Sequence, residues 1–183
     1  MKSPISFSSL VEKEGAELRE IGRAGRFDRL DPLVAAAAME VQVVRFDQIA
    51  SLSPEARDQL IHKDSASWSA GTLVLPGGHY VVVLNPSHAS TRQRVSLMEE
   101  LAHIHLRHQP GQLDRSGDVV LRTWNGFDEK HAYSVAAASL LPQHILKDAC
   151  TSDRNVAEVA RCHNVSPALV RFRAAVLRIP LRE

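Results

Sequence analysis

The chain has 183 residues, of which 44% are hydrophobic, and its formal net charge at pH 7 is +1. This length suits one domain, or one domain with an extension, and the near-neutral charge gives no reason to expect nucleic acid or an anionic membrane as the main partner. No run of about 18 apolar residues predicts a membrane span. The two cysteines, Cys150 and Cys162, have no CxxC spacing, and no apolar leader follows Met1, so we expect a cytoplasmic protein with reduced thiols.

The first half of the chain predicts short helices and then a small sheet. Residues 6–24 have a weak amphipathic pattern, and Asp31-Pro32 is a typical helix start. Residues 41–46 are β-branched and predict a strand. Residues 71–85 contain two β-rich runs on either side of Pro-Gly-Gly, which predicts a hairpin with a glycine turn.

The second half predicts mainly helices. One helix runs from about residue 91 to 108, a polar loop follows at 112–126, and a second strong helix spans about 128–141. Two or three further helices follow between residues 143 and 178. This order predicts an α+β fold, with a small antiparallel sheet and its hairpin packed against the helix at 91–108, and a helical C-terminal tail.

The helix at 91–108 carries a dense group of metal-capable side chains. Glu99 and His103 are four residues apart, so they lie on one face of the helix, with Glu100 at the rim of that face. The string is the metalloprotease motif H-E-x-x-H with Glu99 in place of the first histidine. In that motif the histidines bind zinc and the glutamate is the general base, so Glu100 keeps the base position and His103 keeps a ligand position.

A catalytic zinc site needs a third protein ligand and an open position for water. The helix at 128–141 offers His131, and Glu99, His103 and His131 would supply one carboxylate and two imidazoles. In such a site Glu100 takes a proton from the attacking water and passes it to the leaving amine.

Several ordered blocks of the sequence resemble the ImmA/IrrE family of metallopeptidases over roughly residues 30–175. The blocks are Trp68-Ser69-Ala70, Val83-Leu84-Asn85-Pro86 with His88, Arg92-Gln93-Arg94, Glu99–His103, the alanine-rich segment from Ala132 to Pro142, and the tail around Val159-Ala160, Asn164-Val165-Ser166, Leu169-Val170 and Arg173. In that family the ligands are the two motif histidines and a glutamate that opens the alanine-rich helix. Here Glu99 and His131 stand in those places with the residue types exchanged, which preserves the ligand set.

The resemblance implies a cytoplasmic metallo-endopeptidase with a zincin-like helix and one divalent metal. Zinc is the first choice, and manganese or iron also suit a set of two histidines and one carboxylate. The implied substrate is a regulatory protein such as a helix-turn-helix repressor, in stress response or transcription regulation. We divide the chain into an N-terminal helical extension (1–29), a metallopeptidase-like core (30–145) and a helical tail packed on the core (146–183).

Two further residues are candidates for auxiliary roles. Tyr133 could donate a hydrogen bond to the oxyanion, and His88, just before the site helix, could approach the attacking water.

Three other interpretations stay open. The first is a DNA-binding module at 156–173, which has a helix-turn-helix pattern with Arg171 and Arg173, although direct DNA binding is disfavoured in a near-neutral chain. The second is a dinuclear carboxylate site built from the two acid-x-x-His strings that end at His103 and His131. The third is a catalytically inactive relative that serves as a regulatory or toxin–antitoxin binding partner. The replacement of the first motif histidine by Glu99 is the reason to consider it.

Overall fold

The computed structural model describes residues 6–49, 53–75, 77–108, 113–116, 119–122 and 126–183. Within these ranges the chain forms eight α-helices and five β-strands. The helices are α1 (Phe7–Ile21), α2 (Pro32–Ala38), α3 (Pro54–Asp58), α4 (Ser90–His105), α5 (Gly126–Leu140), α6 (Gln143–Thr151), α7 (Val156–His163) and α8 (Pro167–Leu177), and the strands are β1 (Gln42–Arg45), β2 (Ala70–Val74), β3 (Tyr80–Leu84), β4 (Leu113–Ser116) and β5 (Val119–Arg122). None of the described helices is long and apolar enough to cross a membrane.

Several helices begin at capping residues that can be recognised in the sequence. The Asp31 side chain accepts a hydrogen bond from the Leu33 amide at 3.1 Å, ahead of Pro32. At the start of α7, Asn155 and Glu158 form a reciprocal capping box, with distances of 2.9 and 2.8 Å. These bonds satisfy amides that the first turn of a helix leaves without a partner, and they fix where each helix begins.

The main sheet has three strands in the order β1-β3-β2. β2 and β3 form the antiparallel hairpin that the sequence predicts, and Gly77 and Gly78 take the positive φ angles (91° and 82°) that its turn requires. β1 joins β3 in parallel, so the three-stranded sheet is mixed within the predicted α+β class.

A second, two-stranded antiparallel sheet pairs β4 with β5. Its strands lie inside the segment 112–126, whose sequence predicts a polar loop. That prediction is wrong for residues 113–116 and 119–122. Trp124 of the same segment lies outside the described residues.

The two faces of the main sheet serve different cores because side chains alternate along β3. Val82 and Leu84 belong to the large hydrophobic cluster shared with the helices. Val81 and Val83 belong to a smaller cluster on the opposite face, with Phe46 and Trp68 around them. The face of the sheet that contains Val82 and Leu84 therefore packs against the helices, among them α4 and α5.

α1 belongs to the same large cluster, although it lies in the segment predicted as an extension. Its Leu18 is fully buried and Val11 is 4% exposed. Gly15 faces α5 so closely that an added methyl group would lie 2.9 Å from the Cβ of Ala138. α1 therefore forms a wall of the domain against α5.

α7 and α8 form the helix-turn-helix pair expected in the tail, joined at Asn164, which has a left-handed conformation. Arg173 of α8 is 2% exposed; its Nε donates to the carbonyl of Leu141 at 3.0 Å, and its guanidinium forms an ion pair with Glu12 of α1. Arg171 is exposed and pairs with Glu183 at 2.6 Å. Arg173 therefore stabilises the packing of the tail on the core and offers no surface for DNA.

Candidate metal centre

The helix α4 presents polar side chains to two different neighbours. Its buried stripe of Leu97, Met98 and Leu101 anchors it in the core. Glu99 and His103 lie one turn apart, close to charged residues of α5. Glu100 reaches toward the sheet instead. The adjacent residues Glu99 and Glu100 therefore face different neighbours, α5 and the sheet.

Glu100 is held by a strand residue. The hydroxyl of Thr72, in the middle of β2, donates a hydrogen bond to Glu100 Oε2 at 2.6 Å. A carboxylate that accepts a hydrogen bond from a strand residue is oriented by it. This is the arrangement that a general base requires.

Glu99 lies in an electrostatically unfavourable place. Burial, and after it the negative charges of Glu129 and Glu100, raise the pKa of Glu99 from 4.5 to about 7. Like charges in a partly desolvated site disfavour further ionisation. A cation bound beside this carboxyl group would stabilise its ionised form, and a divalent metal ion would do so most strongly.

His103 connects the two helices. Its Nε2 lies 3.4 Å from Glu129 Oε1 on α5, and its Nδ1 is hydrogen-bonded to Nδ1 of His108 at 3.1 Å. His108 Nε2 in turn lies 3.7 Å from Asp128 Oδ1. Burial lowers the pKa of His103, against the raising effect of Glu100 and Asp128, so its ring is neutral at neutral pH. A neutral imidazole whose second nitrogen is oriented by a partner is a typical metal ligand.

His131 takes part in a different contact. Its Nε2 is hydrogen-bonded to Glu14 Oε2 of α1 at 2.7 Å, and both side chains are largely buried. Two residues along a helix turn the side chain by about 200°. Glu129 therefore reaches His103 and His131 reaches Glu14. The His131 ring also lies 5.4 Å, centroid to centroid, from His108, the hydrogen-bond partner of His103.

The predicted auxiliary residues are placed unequally. Tyr133 follows Glu129 by one helical turn, and burial together with the charge of Glu99 raises its pKa, so its hydroxyl lies near the site and stays protonated. His88 is hydrogen-bonded to the carbonyl of Ser65 at 3.0 Å, before the start of α4. Glu99 lies nine positions after Ser90 in the helix, about 14 Å along the axis. The structure does not bring His88 to Glu99.

Sequence reasoning missed Glu129 and His108. The helical period gives a signal for Glu129, because it stands one turn before Tyr133, whereas His131 is offset from both by half a turn. His108 follows the end of α4, with Arg107 in a left-handed conformation before it, and the chain reversal that brings its ring to His103 is not visible in a linear pattern.

A set of one imidazole and two carboxylates fits a divalent ion chemically. Among the residues that the structure describes, no three histidine, cysteine or acidic side chains already surround one point as a finished metal shell would. The donors are instead gathered on adjoining faces of α4 and α5, where His103 and Glu129 contact each other directly.

Comparison with known protein families assigns the chain to one of them. The family model of the IrrE N-terminal-like domain, peptidase family M78, matches residues 52–175, which is more than half of the chain and includes α4, α5 and the β2–β3 hairpin. None of the curated proteins matches significantly. The chain therefore belongs to the M78 family of metallopeptidases, of the ImmA/IrrE type.

Proposed function

We propose that this protein is a metal-dependent endopeptidase whose working side chains come from α4, α5 and β2. The observation that carries the proposal is the 3.4 Å contact of His103 with Glu129 across the α4–α5 interface, with Glu99 one helical turn from His103 and Glu100 oriented by Thr72. Three carboxyl groups and a neutral imidazole in a half-buried place form an acidic cluster that a divalent cation would neutralise.

The ligands that we propose are Glu99, His103 and one residue of α5. His131 is the ligand that the sequence predicts for that third place. The contact of 3.4 Å between His103 and Glu129 favours Glu129 instead, while the hydrogen bond of His131 to Glu14 gives His131 a role in holding α1. With Glu129, the exchange of residue types is no longer needed, and Glu99 is the single departure from the usual set. Zinc is the metal we propose, since it takes nitrogen and oxygen ligands in four-coordinate sites.

A bound divalent metal would supply the Lewis acidity that activates water and polarises a peptide carbonyl. Glu100, oriented by Thr72, then accepts a proton from the attacking water and delivers it to the departing amine. The Tyr133 hydroxyl stays protonated at neutral pH and can donate a hydrogen bond to the developing oxyanion. His103 is held in one ring orientation by His108.

The substrate that we propose is a regulatory protein, with a helix-turn-helix repressor as the class that the family resemblance suggests. β2 pairs with β3, and within the described strands its other edge has no partner. A substrate segment added to that edge in extended form would pass Glu100, because Thr72 belongs to β2. Leu73 and Val74, both 49% exposed, would contribute apolar contacts.

Metal analysis tests the ligand assignment. The protein is purified without chelators, beside Glu99→Gln, His103→Ala, Glu129→Gln and His131→Ala, with the exposed Glu20→Gln as the matched control. We expect about one ion per chain in the parent and in Glu20→Gln, and a loss of binding in Glu99→Gln, His103→Ala and Glu129→Gln. A loss in His131→Ala with retention in Glu129→Gln would return the third place to His131. A parent that binds no divalent metal would refute the site, and two ions per chain would favour the dinuclear alternative.

Activity separates an enzyme from an inactive relative. Glu100→Gln should keep its metal and lose peptide cleavage. A parent that binds metal, binds its partner protein and cleaves nothing would instead support the inactive binding-partner alternative.

A further inference from the structure

A cavity of about 420 Å³ lies between α1, α5 and α8. Its walls are mainly apolar and include Phe7, Val11, Tyr133, Phe172 and Val176, with Lys130 among its polar lining. A volume of this order is within the range of ligand sites, and an apolar cavity of about 150 Å³ already accepts a benzene ring. The cavity is therefore large enough for a bulky apolar side chain together with part of its backbone.

The walls of this cavity expose large apolar groups to solvent. Phe7 is 40% exposed, Phe172 38% and Val176 52%. Phe127, which is 63% exposed and whose ring centroid lies 6.2 Å from that of Phe7, extends the apolar surface beyond the cavity. Contiguous exposed apolar surface around a concavity is a typical feature of recognition sites.

Tyr133 places the cavity next to the candidate metal centre. Its ring packs against Phe172 with a centroid distance of 5.4 Å and an interplanar angle of 61°, and so forms part of the cavity wall. The same side chain lies close enough to Glu99 for the two to interact electrostatically. Tyr133 also lies one helical turn from Glu129, which contacts His103, so the cavity wall borders the α4–α5 contact that carries the candidate metal centre.

The charged residues around the cavity indicate which type of residue would lie beside an apolar side chain bound in it. Arg173 also lines the cavity, but its guanidinium is engaged by Glu12 and by the Leu141 carbonyl. Lys130 is exposed, so its ammonium can meet a negative charge in solvent. An acidic residue beside the apolar one would complement this arrangement.

We propose that the cavity between α1, α5 and α8 is a substrate-recognition pocket that accepts a bulky apolar side chain, tryptophan or phenylalanine, next to an acidic residue of the protein substrate. This inference rests on the proposed peptidase function, and it assigns to Val176, Phe172 and Phe7 a role in specificity.

The test has a binding arm that does not depend on cleavage. N-acetyl-tryptophanamide is titrated into the isotope-labelled protein, and amide and methyl shifts are followed by NMR. The filling variant is Val176→Trp, and the matched control is Val34→Trp, at another exposed valine (42%) on α2. Ser8→Trp, at an exposed cavity residue, and its neighbour Ser9→Trp form a second pair in case Val176→Trp does not fold.

We expect saturable shifts at the cavity residues in the parent, in Val34→Trp and in Ser9→Trp, and their loss in both filling variants. A parent that shows no saturable shift, or filling variants that respond like their controls, would overturn the pocket. The cleavage arm compares fluorogenic peptides that differ only in Trp-Asp against Ala-Asp, and we expect kcat/KM for the former to be higher by about tenfold in the parent and equal in the filling variants. If no peptide is cleaved while the binding arm behaves as expected, the peptidase proposal fails and the pocket stands. Cleavage without a preference for tryptophan refutes the pocket alone.

Discussion

The unfavourable placement of Glu99 should be measurable as a pH-dependent cost in stability. In the folded protein its pKa is raised to about 7, mainly by burial and then by the charges of Glu129 and Glu100, whereas the ordinary value is 4.5. Below about pH 4.5 the carboxyl is protonated in both the folded and the unfolded chain and costs nothing. Between pH 4.5 and 7 the unfolded chain ionises first, so folding becomes less favourable as the pH rises, and above about pH 7 the cost is constant at roughly 3 kcal/mol.

Replacement of Glu99 by glutamine removes this cost. In the metal-free protein, Glu99→Gln should therefore be more stable than the parent near pH 8, and its advantage should shrink by about 2 kcal/mol as the pH is lowered to about 5. The measurement is urea unfolding in the presence of a chelator at both pH values, with the exposed Glu20→Gln as the control. Saturating Zn²⁺ should reverse the order, because a ligand that binds the ionised carboxylate stabilises only the parent.

Two results would refute this reasoning. If the difference between Glu99→Gln and the parent does not change with pH, the carboxyl is not held in an unfavourable environment. If the order stays the same with saturating Zn²⁺, Glu99 is not a ligand, whatever its pKa.

Two further predictions follow from contacts around the site. Thr72→Val removes the hydrogen bond to Glu100, so kcat on a peptide substrate should fall by about tenfold with KM unchanged, and Thr72→Ser should restore it; an equal loss in Thr72→Ser would mean that the hydroxyl does not act through Glu100. Arg173→Met leaves the partly buried Glu12 without its cation and should lower the free energy of unfolding by about 3 kcal/mol. The exposed pair of Arg171 and Glu183 provides the control, since Arg171→Met should have no measurable effect on urea unfolding; equal effects of the two substitutions would show that burial does not strengthen the contact of Arg173.

The sequence predicted most elements whose information is local. Asp31-Pro32, the Pro-Gly-Gly turn and the segment that opens α8 at Ser166 each contain their own start signal, and the corresponding helices and hairpin are present in the structure. The apolar period of α4 likewise fixed which of its side chains share a face. These patterns need no knowledge of distant partners.

Features that depend on distant partners were not predictable in the same way. The parallel pairing of β1 with β3 joins Gln42 to Val81, and neither strand carries a mark of that choice. The third member of the candidate site was sought by residue type, which favoured His131, whereas the helical period places Glu129 on the side of α4. The packing of α1 on the core was also not predictable. Its charged residues suggested a solvated extension, whereas in the structure several of them contact a buried arginine and partly buried histidines.

The contacts of the acidic residues of α1 bear on where the folded domain begins. Glu12, Glu14 and Glu17 follow one another along α1 and reach Arg173, His131 and His105 respectively, on three different helices. The region shared with the family begins at residue 52, well after α1. A protein shortened to that shared region would lose the carboxylate partners of three side chains in one step and expose the α5 surface that Gly15 covers. The acidic partners of Arg173, His131 and His105 thus lie outside the region of sequence similarity, and we expect a chain that begins at residue 52 to be less stable than the full chain.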